Sequence, residues 1–511
     1  MSQSVLNDAY VGYSSQLAIF DKIKQNVGSK RGYITTFYPI NDFGQQGILQ
    51  FNLNNVSTRY MDLRSARLNL SCKLVGPQGQ PIFPIPPNVE RRSKRAAGPS
   101  TASAADEGDQ ADAEESDAAA TAAAAFLAKK SSDARASVNQ TSDPSIPADA
   151  IRANIGVINN FAHSIWSRVD VSIQSKNLSQ SDQSYAFMSY LKTLLYMNSD
   201  MKNSSMQSSL FYPDTGSSVR DINPAVTNNQ GLKIRSSYFE GGRVVDLSTP
   251  LHSDLFTINR YMPGGVSLSL TFHPNSPQFY LTSNHTKNEI ENYKLVITKA
   301  SLDITLHEID PTILIAHEQI LRSQDAIFPY IKTEVKRIAI SAGLFEFRID
   351  DPFSNVIPAE LICGLVRDSA SHGDYEENGL YFEPCNLSSI SCTVDNNDLI
   401  NSPICVRYDS DAPSGGNYLQ AYESLSGVTG EEGVIPLPRL DFPKGNCLYR
   451  FVSEALEGSN ADQSVIPLKR TGNMRLVIRF EKALDCAMNL VLLASFPAAL
   501  KLDSFKNIYP I

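Results

Sequence analysis

Apolar and polar residues alternate with period two in the best-defined segments of the chain, the mark of a strand with one face buried. Val266, Leu268, Leu270 and Phe272 alternate with Ser267, Ser269 and Thr271. Leu302, Ile304 and Leu306 alternate with Asp303, Thr305 and His307. Met474, Leu476, Ile478 and Phe480 point one way, Arg475 and Arg479 the other. Near the start, Leu49, Phe51 and Leu53 share a face. Half-buried strands are therefore predicted in both halves.

Helical spacing is scarcer. "YAFMSYLKTLLYM" sets Phe187, Tyr190, Leu191, Leu194 and Leu195 on one helical face. "DPTILIAHEQILRS" begins with Asp310 as N-cap and Pro311 at the first helical position. Ile313, Ala316, Ile320 and Leu321 are its expected buried face. With strand-rich sequence on either side, it reads as a linker between two domains. The halves also echo each other: "YMPGGVSLSLTF" (261–272) and "KRTGNMRLVIRF" (469–480) are each a glycine turn followed by a strand. A further apolar strand follows each, at 293–306 and 486–502. Many antiparallel strands, some joined by long loops, suit two jelly-roll sandwiches of related topology.

Composition narrows the function classes. The 511 residues are 42% hydrophobic and 9% aromatic, enough for large cores. A net charge of -9 argues against a general nucleic-acid binder. No stretch of about 18 apolar residues predicts a membrane span. The N-terminus lacks the pattern of a secretory signal. Seven scattered cysteines suit a reducing compartment, so the seven Asn-x-Ser/Thr sites, the first at Asn55, are expected to go unused.

One stretch stands apart. "RRSKR" (91–95) precedes seven acids between Asp106 and Asp117, and an alanine run ends at Lys129 and Lys130. Residues 90–148 are too poor in aromatic and β-branched residues to offset the entropy of ordering, and are expected to form a flexible insert. The basic cluster admits three readings: nuclear import, a protease site, or a solvated charge run.

No converging catalytic set is visible, and no catalytic, cofactor-binding or metal residue is assigned. Phosphate-loop, nucleophile-elbow and dinucleotide motifs are absent. His317 and Glu318 begin like a zinc-protease helix, but Leu321 stands where the second histidine belongs, so His317 is expected at a core or interface. The histidines 163, 252, 273, 285, 307, 317 and 372 show no ligand spacing. Cys385 and Cys392 are expected to be buried thiols. Asp374, Glu376 and Glu377, and Asp409 and Asp411, offer calcium-type oxygens but read as solvated loop tips. Large β-rich mass without a site points to a structural or binding role rather than an enzyme.

Several segments resemble a known family. In order they are 57–81 ("STRYMDLRSARLNLSCKLVGPQGQP"), 154–179, 184–216, 250–272, 297–321 and 471–484. The series is similar to the hexon-like major capsid proteins of Polinton/Maverick elements and adintovirus-type DNA viruses, over most of residues 40–511. The resemblance implies an all-β double jelly roll: two consecutive eight-stranded sandwiches, a few short helices in loops and a linker helix. The expected division is an N-terminal arm (1–40), a first jelly roll (41–309, with the insert at 90–148), a linker helix (310–330) and a second jelly roll (331–511). It implies a homotrimeric, pseudo-hexameric capsomer that contacts neighbouring capsomers in an icosahedral shell. A penton protein, a maturation protease, a packaging ATPase and a host receptor are implied partners, with the virion as location and the nucleus favoured for assembly. Relatives have a short connection where the insert stands, so the insert is a departure. A β-sandwich receptor- or glycan-binding protein is the alternative; Trp166, the one tryptophan, gives sugar stacking little support.

Overall fold

The computed structural model describes residues 29–41, 47–54, 58–76, 155–174, 176–178, 183–215, 219–224, 227–283, 293–408, 416–429, 433–453 and 470–510. The 90–148 insert with its basic cluster, residues 1–28, and Asp409 and Asp411 lie outside these.

In the first half, eight strands among the described residues build the sandwich, beside a separate two-stranded ladder of Gly156–Val157 and Leu281–Thr282: β1 (Ser29–Phe37), β2 (Leu49–Asn54), β3 (Arg59–Val75), β4 (Trp166–Ile173), β5 (Lys176–Asn177), β6 (Val245–Pro250), β7 (Ser267–Pro274) and β8 (Lys294–Ile309). They form two antiparallel sheets, ordered β1-β8-β3-β6 and β2-β7-β4-β5. The second half repeats the set: β9 (Ala326–Ile340), β10 (Glu346–Asp350), β11 (Glu360–Arg367), β12 (Leu387–Val394), β13 (Asn397–Asp398), β14 (Leu448–Val452), β15 (Met474–Phe480) and β16 (Met488–Leu502). Its sheets run β9-β16-β11-β14 and β10-β15-β12-β13. Adding eight to each first-half label reproduces the second-half order. Two short strands extend the second pair: Ile508–Pro510 on β16 and Ile404–Cys405 on β12.

The predicted alternation lies where it should. Leu268, Leu270 and Phe272 on β7, Leu302, Ile304 and Leu306 on β8, and Met474, Leu476 and Ile478 on β15 are all buried. Leu49, Phe51 and Leu53 on β2 face Phe272, Leu270 and Leu268 across the ladder. The echoed segments occupy equivalent places: 261–272 leads into β7 and 469–480 into β15, seventh in each half.

Two boundaries move. Ser29–Phe37, assigned to the arm, is β1; it pairs with β8 from Ser29↔Ile309 to Phe37↔Leu302. Without it the first sandwich would have seven strands. The linker helix is shorter than 310–330, because β9 already begins at Ala326. The helix itself is Pro311–Leu321, capped by Asp310, whose carboxylate accepts from Thr312 N at 2.9 Å. Nothing among the described residues covers its expected buried face: no residue of it is buried there, and Ile315 and Ile320 are 61% and 54% exposed. The aliphatic residues are there, but the helix lies on the outside of the chain.

The other predicted helix, α1 (Tyr185–Tyr196), lies where the two halves pack together. Phe187, Tyr190, Leu191, Leu194 and Leu195 are buried, and so are residues on the opposite side such as Ser189 and Thr193. A helix buried all round belongs in the middle of a large core. The external linker helix is called α3 below; α2 is Gln230–Ser237, whose Arg235 is also buried.

Candidate functional site: the junction and the outer surfaces

The junction begins with α1, which carries polar groups on one side toward each half. Lys192 Nζ bonds Asp254 Oδ1 at 3.0 Å and the His252 carbonyl at 3.0 Å. Asp254 Oδ2 accepts from Thr333 N on β9 at 2.8 Å, so one carboxylate ties α1 and the first half to the second. At the end of α1, Tyr196 OH donates to Glu360 Oε2 on β11 at 2.6 Å, and Glu360 Oε1 pairs with Arg450 on β14. Glu360 is 4% exposed. Burial, then the Glu360 charge, pushes the Tyr196 phenol well above its ordinary range, so it stays a donor.

Apolar contacts fill the space between these bonds. Tyr190 stacks on Phe382 at 6.4 Å, and the Arg337 guanidinium lies 5.8 Å from the Phe187 ring centre. Further out, Asp214 accepts from buried Arg235 at 2.7 Å and from Asn378 of the second half at 3.4 Å. Lys202 Nζ donates to the carbonyl of Pro436 at 2.8 Å. Burial lowers the Lys202 ammonium to about 8.

The 372–379 loop, expected to be a solvated tip, belongs to this junction. Tyr375 is 4% exposed, and its carbonyl accepts from Ser283 N of the first half at 2.7 Å. Asp374 caps Glu376 N, and Glu377 pairs with Arg367 at 2.9 Å. These carboxylates are used in the fold and do not converge. Among the described residues no group of three or more His, Cys, Asp or Glu side chains could hold a metal ion.

Two histidines that sequence spacing kept apart do meet. The rings of His163 and His252 lie 4.6 Å apart in the first-half core beside α1. His163 Nδ1 faces Tyr185 OH at 3.1 Å and Nε2 faces Thr249 Oγ1; His252 Nε2 faces Thr193 Oγ1 at 3.2 Å. Burial lowers His163 to about 3 and His252 well below its usual range. Both are neutral core histidines held by hydroxyls. His317 on α3 is exposed and stacks on Tyr60 at 5.9 Å, with Nδ1 3.0 Å from its hydroxyl. Cys392 is buried and Cys385 half-buried, both as free thiols.

Several outer strand pairs of the sandwiches are polar. On the β10–β15 pair, Glu346 and Asp350 stand opposite Arg479 and Arg475 and bond them at 3.0 and 2.8 Å. On the β3–β6 and β3–β8 pairs, Ser71 bonds Asp246 at 2.5 Å and Asn69 bonds Asp303 at 2.7 Å. Trp166 is 1% exposed and packs 5.3 Å from Phe272, so it offers no stacking platform for a sugar. Exposed large apolar residues occur chiefly at edges and turns, Ile34, Tyr38, Phe345, Ile400 and Phe505 among them.

No family model matches the chain. An uncharacterized Caenorhabditis elegans protein, F54H12.2, is 21% identical over 362 residues, covering 68% of this chain and 80% of that one. Among solved structures, a chain from the cryo-EM structure of the Sputnik virophage superposes with a TM-score of 0.51. That match has 11% identity and covers 99% of this chain and 93% of that chain. The Faustovirus major capsid protein also gives 0.51, with 8% identity, covering 98% and 94%. The fold is a double jelly roll.

Proposed function

We propose that this chain is a major capsid protein, three copies of which form a pseudo-hexagonal capsomer in the shell of an icosahedral DNA virus or virus-like element. The observation that carries the reading is one strand order used twice in a single chain, the two copies fixed to each other by a buried junction. Two rigid upright units per chain give six per trimer, so a three-fold object can fill a lattice site with six neighbours. A shell part needs this rigidity more than it needs a cleft, and the polar groups of the junction are engaged in holding α1 and the two halves together. The likeness to the Faustovirus capsid protein over nearly the whole chain supports the same role.

The Polinton/Maverick and adintovirus type is the finer form of the reading, supported by the ordered sequence segments. It brings with it a penton protein at the vertices, a maturation protease, a packaging ATPase and a host receptor. The virion is the place of residence, with assembly in the nucleus. The chain acts as a structural part and not as an enzyme.

Light scattering of purified full-length protein, followed by negative-stain microscopy, tests this. Trimers with three-fold symmetry, or closed shells, are the expected result. A stable monomer at micromolar concentration overturns the reading.

A further inference from the structure

Helix α3 carries five aliphatic residues on eleven positions, and none is buried. Beside it runs a groove of about 730 Å³ whose apolar lining includes Tyr60, Tyr261, Ile313, Ile320, Leu321 and Phe328. Ile327, 44% exposed, belongs to the same wall. The rim is closed by polar groups that already have partners. Glu318 pairs with Lys506 at 3.1 Å, Asp325 with Lys501 at 2.7 Å, His317 with Tyr60, and Arg260 with the Ile327 carbonyl. The groove therefore offers apolar area without a free charge, and suits an apolar segment better than an ion or a charged ligand.

The chain itself supplies such a segment at the right place. Strand β1 starts at Ser29, paired with Ile309, the last residue of β8 and itself part of the groove wall. The ladder is antiparallel, so the backbone preceding Ser29 heads where β8 continues, toward Asp310 and α3. Residues 1–28 precede it, with Leu17, Phe20, Ile23 and Val27 recurring at intervals of three or four. That interval places them on one face if the segment is helical. Eleven residues, 17–27, would then be about as long as α3, roughly 16 Å.

We propose that residues 17–28 of each chain dock in the α3 groove of the same chain, laying Leu17, Phe20, Ile23 and Val27 against Ile313, Ile320 and Leu321. This is recognition of an amphipathic segment by an apolar groove, and it stands whether or not the chain forms a capsomer.

The test uses full-length protein and hydrogen exchange, with light scattering on the same samples. In the variant Leu17→Asp/Phe20→Asp/Ile23→Asp, amides 314–321 of α3 should exchange about tenfold faster or more. In Ile313→Glu/Ile320→Glu, amides of residues 17–28 should lose protection in turn, because coupling between two sites is reciprocal. Unchanged α3 exchange in the first variant overturns the proposal. So does α3 exchange that rises on dilution of the wild type as an oligomer dissociates, which would assign the groove to a second copy.

Discussion

Tyr196→Phe is the sharpest probe of how the two sandwiches are held together. It removes one oxygen and leaves the packing of α1 in place. The lost bond is short, 2.6 Å, buried, and made to a carboxylate that also binds Arg450. A hydrogen bond to a charged group contributes about 1.5–3 kcal/mol, and that is the expected destabilisation. Glu360→Gln should cost more, about 3–5 kcal/mol, because it leaves the Arg450 guanidinium, itself 12% exposed, without its counter-charge. The two changes share one network, so the double variant should fall short of their sum by about 1 kcal/mol or more. Urea titration followed separately by signals from each half is the assay. The variants should also let the two halves unfold at different urea concentrations, since the bond spans from α1 to β11. A Tyr196→Phe change below about 0.5 kcal/mol, with both halves still unfolding together, would refute the idea that this bond fastens the junction.

Other outcomes follow from the same structure. Gly364→Ala on β11 should destabilise by about 1–3 kcal/mol in thermal melts, because a Cβ there would meet the Phe382 ring and come within 2.8 Å of Leu448 Cδ2. Acid should weaken the fold through His163 and His252: neutral when folded, they take up protons below about 6.5 once unfolded. Stability is thus full above that pH and falls by about 1.4 kcal/mol per unit per histidine until the folded value is reached, about 3 for His163. His163→Gln should flatten the dependence of the urea midpoint on pH between 6.5 and 4.5. Deleting residues 90–147 should leave the oligomer seen by light scattering unchanged, since long surface-loop insertions alter closure entropy only slowly.

Strands were legible in the sequence wherever a sheet has one wet face. Leu268, Leu270 and Phe272 alternate with Ser269 and Thr271 because β7 has the core on one side and water on the other. Strand β1 was missed because its alternation is weak: Ile34 is 76% exposed, while Tyr33, Thr35 and Phe37 are only half-buried. For α3, spacing gave the apolar residues correctly but could not say that nothing in the described chain covers them. The junction was invisible for a different reason. Tyr196 and Glu360 lie 164 positions apart, and no local pattern marks a tyrosine that will find a carboxylate in another domain. Tyr375 and its acidic neighbours misled for the same reason, since polar loop composition does not reveal the Ser283 contact that buries them.

The duplicated strands nevertheless carry one trace of the junction. Strands β8 and β16 occupy equivalent places, yet their outward positions differ. From Ala300 to Leu306, β8 alternates buried and half-buried residues, whereas β16 is buried without interruption from Met488 to Phe496. Strand β11 is likewise buried from Glu360 to Val366, while its counterpart β3 alternates. A sheet covered on both faces loses its polar half. On the second sandwich, Tyr196 of α1 meets Glu360 on β11, and the short helix Asp368–His372 packs on β11 and β16, while the first keeps Asn69, Ser71 and Asp303. The two halves therefore share a strand order but not a role: one is built to be packed against, the other to present α1 and a polar face. A chain with that polarity joins its own halves in one fixed sense. In the trimer proposed for this chain, the two kinds of sandwich would alternate around a ring, giving six positions with the symmetry of three.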